Sequence, residues 1–199
     1  MQLLDPQPKA LESSFVLNNV TWEQYEALLN LFGDNQPGLR INYLQGALEL
    51  WMPGREHERI KTLFSRLIEA FAEELDLELN GYGSTTFRNQ AAERGLEPDE
   101  CYCLGNLREV PDIAIEVVVT SGLVDRLEIY RGLGIREVWV WREGKLLFHT
   151  LETPDQGYQV LSRSQILPQL DPELLLSYLH ETNQTQSVKS YRQKLRESL

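Results

Sequence analysis

The sequence contains little cysteine, which excludes the protein classes that depend on it. Only two of the 199 residues, Cys101 and Cys103, are cysteines. They alternate along a predicted strand and therefore face the same side, which excludes a disulfide framework, and a zinc site would need further ligands. We expect both to be reduced residues of the core.

Long apolar segments are missing too. No run of apolar residues approaches the length that is needed to cross a bilayer. Residues 1–6 contain neither the basic region nor the apolar region of a signal peptide. We therefore expect a cytoplasmic protein.

Basic residues are scarce relative to acidic ones. The chain has 19 Lys and Arg against 30 Asp and Glu, a formal net charge of -11, and its sequence pI is about 4.8. A nucleic acid would be repelled by such a chain unless basic side chains cluster locally, a metal neutralises the site, or a partner supplies charge.

What is present predicts one α/β domain over residues 1–199. Hydrophobic residues make up 42% of the chain, enough for one substantial core. Apolar residues at three- and four-residue spacing predict a long helix over 56–75. A strand over 112–119, a helix over 123–133 and a strand over 137–141 favour a right-handed crossover. We expect a mixed sheet with these two helices on opposite sides.

The other elements follow from turn and capping signals. We predict an irregular segment over 1–14, a helix over 21–31, a hairpin of 39–44 and 47–52, strands over 77–80 and 84–88, a polar loop over 89–95, a second hairpin over 139–151, a strand over 158–161, and a terminal helix from Asp171. Beyond Thr182 the composition becomes polar and predicts a fraying end.

Glu116 lies inside an apolar, β-branched run over 113–119, where a carboxylate is unexpected. Alternation along a strand places Asp112 and Glu116 on the same face. An unpaired buried carboxylate costs several kcal/mol, so a cation, a hydrogen-bond network or a metal must accompany it. Asp112 is either a third acid of such a site or the solvated first residue of the strand.

A second acid, Asp99, follows Pro98 and precedes Glu116 by seventeen residues. Carboxylates on neighbouring strands can converge on one hard divalent cation, and the backbone carbonyl of Val117 could complete the ligand set. Asp99 could instead be an ordinary turn residue after proline. The candidate metal ligands are therefore Asp99, Glu116, Val117 and Asp112.

Short motifs that surround these acids recur in a defined order. They are Leu44-Gln45-Gly46-Ala47-Leu48-Glu49, Met52-Pro53, Glu56-His57, Glu97-Pro98-Asp99, Pro111-Asp112, Glu116-Val117, and Tyr130 through Gly134 to Trp139. In order and spacing they resemble the Uma2 family of bacterial restriction endonucleases, within the PD-(D/E)XK nuclease superfamily. The resemblance covers roughly residues 43–141. It implies a restriction-endonuclease-like core, Mg²⁺ or Mn²⁺ as cofactor, and hydrolysis of DNA phosphodiester bonds.

One position departs from the superfamily pattern. Its lysine would stand at position 118, where this chain has Val118. The nearest equivalent is Arg126, which could stabilise charge on the phosphate but has too high a pKa to be a general base. The resemblance therefore implies attack by metal-attached water, with His57 as an auxiliary catalytic residue. The alternative is a catalytically degenerate domain that binds nucleic acid or a partner protein.

Several candidate residues also have purely structural interpretations. His57 could orient substrate or bind metal, or be a surface or hydrogen-bonded residue at a helix start. Arg126 could reach the site or lie over Tyr130. Glu49 is explained by an exposed hairpin face.

We also expect a homodimer, because cutting both strands of a duplex needs two symmetric sites and a lone acidic chain repels phosphate. The apolar and aromatic hairpins at 50–52 and 139–141 are candidates for its interface, although core packing also explains Trp139 and Trp141. The candidates for phosphate contact are Arg40, Arg55, Arg59, Lys61 and Arg88.

Overall fold

A computed structural model describes residues 13–32, 38–119, 124–153, 155–179 and 182–198. Its strands are β1 Ser13–Leu17, β2 Arg40–Leu44, β3 Ala47–Met52, β4 Leu79–Gly81, β5 Phe87–Asn89, β6 Arg94–Leu96, β7 Glu100–Leu104, β8 Ile113–Val118, β9 Glu137–Arg142, β10 Lys145–Thr150 and β11 Gln159–Leu161. Its helices are α1 Trp22–Phe32, α2 Arg55–Glu74, α3 Arg126–Leu133, α4 Pro172–Leu179 and α5 Gln184–Ser198. None of the described helices has the length and apolarity that crossing a membrane requires.

The strands form two sheets rather than the one sheet that the sequence predicts. The first sheet has the order β1-β3-β2-β6-β5, and all its pairings are antiparallel. The second has the order β11-β10-β9-β8-β7-β4. It is mixed, because β8 and β9 pair in parallel, and α3 connects them along the chain. The predicted strand, helix and parallel strand are therefore confirmed.

Two helices cover opposite faces of the second sheet, as predicted. Ile113, Ile115 and Val117 join a core cluster with the apolar face of α2. Ala114, on the other face of β8, packs with Ile129 of α3. The alternation of β8 therefore directs Glu116, like Ala114, toward α3.

Local signals explain where the elements near the site begin and end. Gln45 and Gly46 both have positive φ, 44° and 89°, as a two-residue hairpin turn requires, so β2 and β3 pair in tight register. Asp125 caps α3 by accepting a hydrogen bond from Glu128 N at 3.1 Å. Gly134, with φ 78°, ends that helix.

The observed elements differ from the predictions at several places. β1 begins within the predicted irregular segment, and β6 occupies part of the predicted polar loop. The predicted fraying end is wrong, because α5 buries Tyr191 and Leu195 and pairs Arg192 with Glu74 at 2.8 Å. The predicted start of α3 at position 123 lies outside the described residues, and the helix begins at Arg126.

Both cysteines are free and buried, as expected. The aromatic side chains of the two candidate interface hairpins are buried as well: Trp51 is 5%, Trp139 0% and Trp141 6% exposed. Trp139 and Trp141 belong to the main core cluster. The core interpretation of these tryptophans is therefore confirmed, and they leave little aromatic surface for a dimer interface.

Candidate active site

Backbone pairing brings the two predicted acids together at one end of the β7 and β8 pair. β7 and β8 are antiparallel, with Glu100 opposite Ile115. Asp99 N donates a hydrogen bond to Ile115 O at 3.1 Å, and Val117 N donates one to Asp99 Oδ2 at 2.6 Å. The Asp99 carboxylate is thus held against the edge of β8 beside Glu116, which confirms that the two acids lie on neighbouring strands.

Asp99 is fully buried between two cationic side chains. Arg40, on β2, donates a hydrogen bond to Oδ1, and His57 Nε2, on the first turn of α2, lies 2.9 Å from Oδ2. Burial alone would raise the pKa of this carboxyl, but the hydrogen bond with His57 and the charges of Arg40 and His57 outweigh it and hold the pKa below its usual range. Asp99 is therefore an ionised carboxylate with its charge compensated.

His57 is buried and charged, not a surface residue. Its Nδ1 lies 3.4 Å from Glu58 Oε1, a separation that allows the charges to interact although no hydrogen bond forms. Burial lowers the pKa of His57. The hydrogen bond with Asp99 and the neighbouring acids raise it by more than burial lowers it, so the pKa is about 9. At neutral pH both ring nitrogens carry protons, so His57 cannot accept a proton as a general base.

Glu116 has a different environment on the α3 side. Its Oε2 accepts a hydrogen bond from Arg126 Nη1 at 2.6 Å, and its Oε1 accepts one from the Tyr130 hydroxyl. Burial raises the pKa of this carboxyl; Arg126 opposes the rise, and the charge of Asp99 adds to it. Arg126 therefore reaches into the site and pairs with Glu116. The carboxylates of Asp99 and Glu116 repel each other electrostatically.

The hairpin of β2 and β3 supplies a wall of buried polar side chains. Glu49 is 0% exposed and accepts a hydrogen bond from Asn42 Nδ2 at 2.9 Å. It also lies 3.5 Å from Arg126 Nη2. The prediction that Glu49 lies on an exposed hairpin face is wrong, because the first sheet turns this face toward the second sheet. Glu49 gives Arg126 a second carboxylate neighbour.

Asp112 is not brought to the site. It lies four residues before Glu116, about 13 Å away along an extended strand. Its Oδ2 accepts a hydrogen bond from Leu104 N at 3.0 Å, and its Oδ1 accepts one from Arg108 Nη1 at 2.6 Å. Asp112 ties the start of β8 to the end of β7, which is a structural role.

The donor types at the site fit a hard divalent cation. Asp99 and Glu116 are buried oxygen ligands whose mutual repulsion a cation would relieve. The carbonyl of Val117 points to the same strand edge as its amide, which contacts Asp99. Within the described ranges no group of three His, Cys, Asp or Glu side chains is arranged to hold a metal. Because both carboxylates already accept protein hydrogen bonds, binding a cation means exchanging some of these contacts.

A cavity of about 250 Å³ opens beside Glu116. Its lining includes the site residues Trp51, Glu116, Arg126 and Tyr130 together with strand residues of the second sheet, Val118, Val140, Arg142 and His149. Arg126 and Glu116 are therefore reachable from the surface through this cavity.

The residues predicted to contact phosphate are scattered in the structure. Arg40 is buried on Asp99, Lys61 lies 3.4 Å from Glu58, and Arg88 pairs with Glu26 at 3.0 Å. Arg55 and Arg59 are exposed on the first turns of α2, the helix that carries His57.

Sequence reasoning missed the structural roles of Asn42 and Trp51. Both lie on the hairpin face that also carries Arg40 and Glu49, as the pairs Arg40 with Trp51 and Asn42 with Glu49 show. The alternation of apolar and polar residues along β2 and β3 shows that these residues share one face. It did not show that the face is buried, because the polar face of a hairpin more often meets solvent.

Comparisons with known proteins agree with this arrangement. The model of the Uma2 family, described as "putative restriction endonuclease", matches residues 22–183. No curated protein sequence matches the chain. Among solved structures, the crystal structure of "a putative nuclease belonging to DUF820" from Anabaena variabilis ATCC 29413 is similar, with a TM-score of 0.50 and 15% identity, over 70% of this chain and 90% of the other. The likeness shows a shared restriction-endonuclease-like fold, and because the family model spans most of the sequence, the chain belongs to the Uma2 family.

Proposed function

We propose that the chain hydrolyses phosphodiester bonds in DNA with Mg²⁺ or Mn²⁺ as cofactor. The observation that carries the proposal is the pair of buried carboxylates, Asp99 and Glu116, which the pairing of β7 with β8 brings together, with Glu116 lining a cavity. These two carboxylates and the Val117 carbonyl would hold the cation. A bound divalent cation supplies water activation and neutralises charge on the phosphate.

The protein's own cations have distinct roles in this proposal. Arg126 lines the cavity and stabilises the negative charge that develops on the phosphate, which a permanently charged guanidinium can do without taking up a proton. Arg40 and His57 keep Asp99 ionised and oriented, and therefore ready to bind metal. Tyr130 orients Glu116 through its hydroxyl.

A cleavage assay with supercoiled and linear DNA tests the proposal. Purified protein should nick or cut DNA with Mg²⁺ or Mn²⁺ and stop when EDTA is added. Glu116→Gln should lower cleavage by about 10³-fold, the size of effect expected when a charge-stabilising group is removed from an active site. Single-stranded DNA and RNA substrates in parallel define the substrate class.

Glu100→Gln is a matched control for Glu116→Gln. Glu100 follows Asp99 directly, but its carboxylate lies on the opposite face of the sheet, where Ser65 Oγ of α2 is 3.3 Å away. The control should retain cleavage within about threefold of the unmodified protein, since it touches no residue of the site. Equal losses in the two variants would contradict the assignment of Glu116.

A second candidate function follows from how completely the acids are paired. Every oxygen of Asp99 and Glu116 accepts a hydrogen bond from Arg40, His57, Val117 N, Arg126 or Tyr130. If these contacts never exchange for a cation, the domain binds nucleic acid or a partner protein without cutting. Calorimetric titration with Mn²⁺ separates the two functions, because only a nuclease should bind Mn²⁺ in a manner that Glu116→Gln abolishes.

We further propose that the protein acts as a homodimer, which would place two sites on one duplex. The exposed apolar residues Phe15 and Leu17 on β1 and Met52 on β3 supply surface for an interface in place of the buried tryptophans. Light scattering should give about twice the 23.0 kDa chain mass. A clean monomer that still cuts both strands would contradict the dimer without affecting the proposed reaction.

A further inference from the structure

Trp51 lies between the two halves of the candidate site and contacts both of its guanidinium groups. It is 5% exposed on β3, directly across from Arg40 on β2. The Arg126 guanidinium carbon lies over its ring, 4.3 Å from the centroid, and that of Arg40 lies 5.1 Å from the same centroid. One indole therefore contacts the cation of each acid.

The two guanidiniums are the groups that pair with the proposed metal ligands. Arg40 holds Asp99, and Arg126 holds Glu116. Two positive charges that lie against one ring repel each other. The negative face of an aromatic ring attracts both cations at once, whereas an aliphatic side chain of similar size would attract neither.

Two further contacts indicate that the indole interacts with the cations and is not only core filler. The Nε of Arg126 is buried and has no hydrogen-bond partner within the described residues. The guanidinium carbon next to this Nε lies over the Trp51 ring. The His57 ring meets the same indole edge-to-face, at 4.9 Å and 90°. Trp51 thus contacts the three cationic groups that surround the two acids.

We propose that Trp51 is a positioning residue that holds Arg40 and Arg126 over Asp99 and Glu116. In the proposed function, on which this inference rests, the ring keeps Arg126 aimed at the cavity while its Nη2 stays 3.5 Å from the Glu49 carboxylate. Trp51 does not touch the reacting atoms. Its loss should therefore change kcat through Arg126 and leave KM nearly unchanged.

The arginine side-chain NMR spectrum tests the geometry without any assay of activity. Signals of the Nε–Hε groups are assigned with Arg40→Lys and Arg126→Lys. In the unmodified protein the Arg126 Hε should be shifted upfield by the ring current, since the guanidinium stacks over the indole. This shift should disappear in Trp51→Leu and persist in reduced form in Trp51→Phe. An unshifted Arg126 Hε in the unmodified protein overturns the proposal, whether or not the Trp51 variants fold.

Cleavage kinetics supply the second test. Trp51→Leu should lower kcat by about 10- to 30-fold with KM within twofold, and Trp51→Phe should restore kcat to within about threefold, as expected for two cation–π contacts. The control is Trp22→Leu, at a tryptophan that is 8% exposed and packs against Tyr25 and Tyr43. The control should lower the melting temperature but not kcat.

The outcomes separate this inference from the proposed function. If the protein cuts no DNA but the upfield shift is present and depends on Trp51, the positioning geometry stands and the nuclease proposal fails. If DNA is cut and Trp51→Leu cuts as fast as Trp51→Phe, the positioning role is overturned while the nuclease proposal stands.

Discussion

Glu137 and Glu116 are buried at opposite ends of the second sheet, and the two carboxylates differ in what surrounds their charge. Glu137 begins β9, whereas Glu116 lies near the end of the parallel neighbour β8. Glu137 is 0% exposed, and within the described residues its hydrogen-bond donors are all neutral: Trp139 Nε1 at 2.7 Å, Thr150 Oγ1 at 3.1 Å, Ser164 Oγ, and Gln165 N at 2.8 Å. Glu116 and Asp99 are instead paired with cations, and Glu116 lines a cavity.

The difference shows that burial of an acid does not by itself indicate a functional site. Each oxygen of Glu137 accepts two hydrogen bonds, so the carboxylate has little capacity left for a ligand, and it ties the loop at Ser164 to β9. At the other end, the charges of Arg40 and Arg126 can be shared with phosphate and the carboxylates with a cation. Glu137 is satisfied by fixed dipoles, whereas the acids of the candidate active site are paired with charged groups that can exchange partners.

Asp99→Asn should have the largest effect on this comparison. The amide removes the charge that pairs with Arg40 and His57, which leaves buried cations uncompensated, so we expect a loss of about 3–5 kcal/mol in the free energy of unfolding. Urea unfolding monitored by circular dichroism measures it. Metal binding should disappear in the same variant. If the variant were as stable as the unmodified protein, the charges of Arg40 and His57 would not depend on Asp99, and the contrast with the neutral surroundings of Glu137 would fail.

Glu137→Gln should have the next largest effect, on stability alone. A glutamine amide has one acceptor oxygen, and its NH₂ group would face two of the four donors, so we expect a loss of about 4 kcal/mol. Calorimetric titration of the folded variant with Mn²⁺ should give an affinity within twofold of the unmodified protein. An altered Mn²⁺ affinity would show that the two ends of the sheet are coupled.

Titration of His57 should sharpen the comparison through pH. Its pKa is about 9 when folded against 6.5 for the ordinary side chain, so its stabilising contribution is complete below pH 6.5 and is lost as pH rises through 9. The contribution is at most about 3 kcal/mol. Without divalent cations, the stability difference between the unmodified protein and His57→Gln should shrink from pH 6 to pH 9.5.

His149→Gln is the control for this titration. Burial lowers the pKa of His149, so its protonation affects stability only below about pH 6.5 and in the opposite direction. The unmodified protein and this variant should show parallel stability curves above pH 7. A difference between unmodified protein and His57→Gln that stays constant from pH 6 to pH 9.5 would contradict the charged state of His57.

Much of the fold was predictable from the sequence because the signals are local. Apolar periodicity located α2, the β-branched run located β8, and the glycine turns located both hairpins. The neighbouring placement of Asp99 and Glu116 followed from these elements. The short strand β6 was missed because three residues carry too little pattern, and α5 because its helix depends on tertiary contacts with Glu74.

The wall of the site could not be predicted for a different reason. Arg40, Asn42, Glu49 and Trp51 alternate with apolar residues in a hairpin, a pattern that fits a solvent-exposed face as well as a buried one. Only the packing of the first sheet against the second decides between the two. Glu137 was not recognised as a buried acid, because a glutamate at the start of a strand usually meets solvent.

The smallest expected effect concerns one exposed arginine at each end of the second sheet. Arg55 begins α2, two residues before His57, and Arg163 lies beside Ser164, which contacts Glu137. Neither forms an ion pair within the described part of the chain. If DNA lies only at the Asp99 end, Arg55→Ala should reduce the slope of log affinity against log salt by about 0.9, the value for one phosphate contact, while Arg163→Ala should leave it unchanged.

Fluorescence anisotropy with a labelled duplex measures both slopes, in a Glu116→Gln background so that the DNA stays intact. The total charge changes equally in the two variants, so a general effect of net charge would shift both slopes alike. A change confined to Arg163→Ala would place the DNA at the Glu137 end and reverse the functional assignment of the two carboxylate sites. A change confined to Arg55→Ala would instead mean that a local basic position on α2 offsets the -11 charge of the chain near the candidate active site.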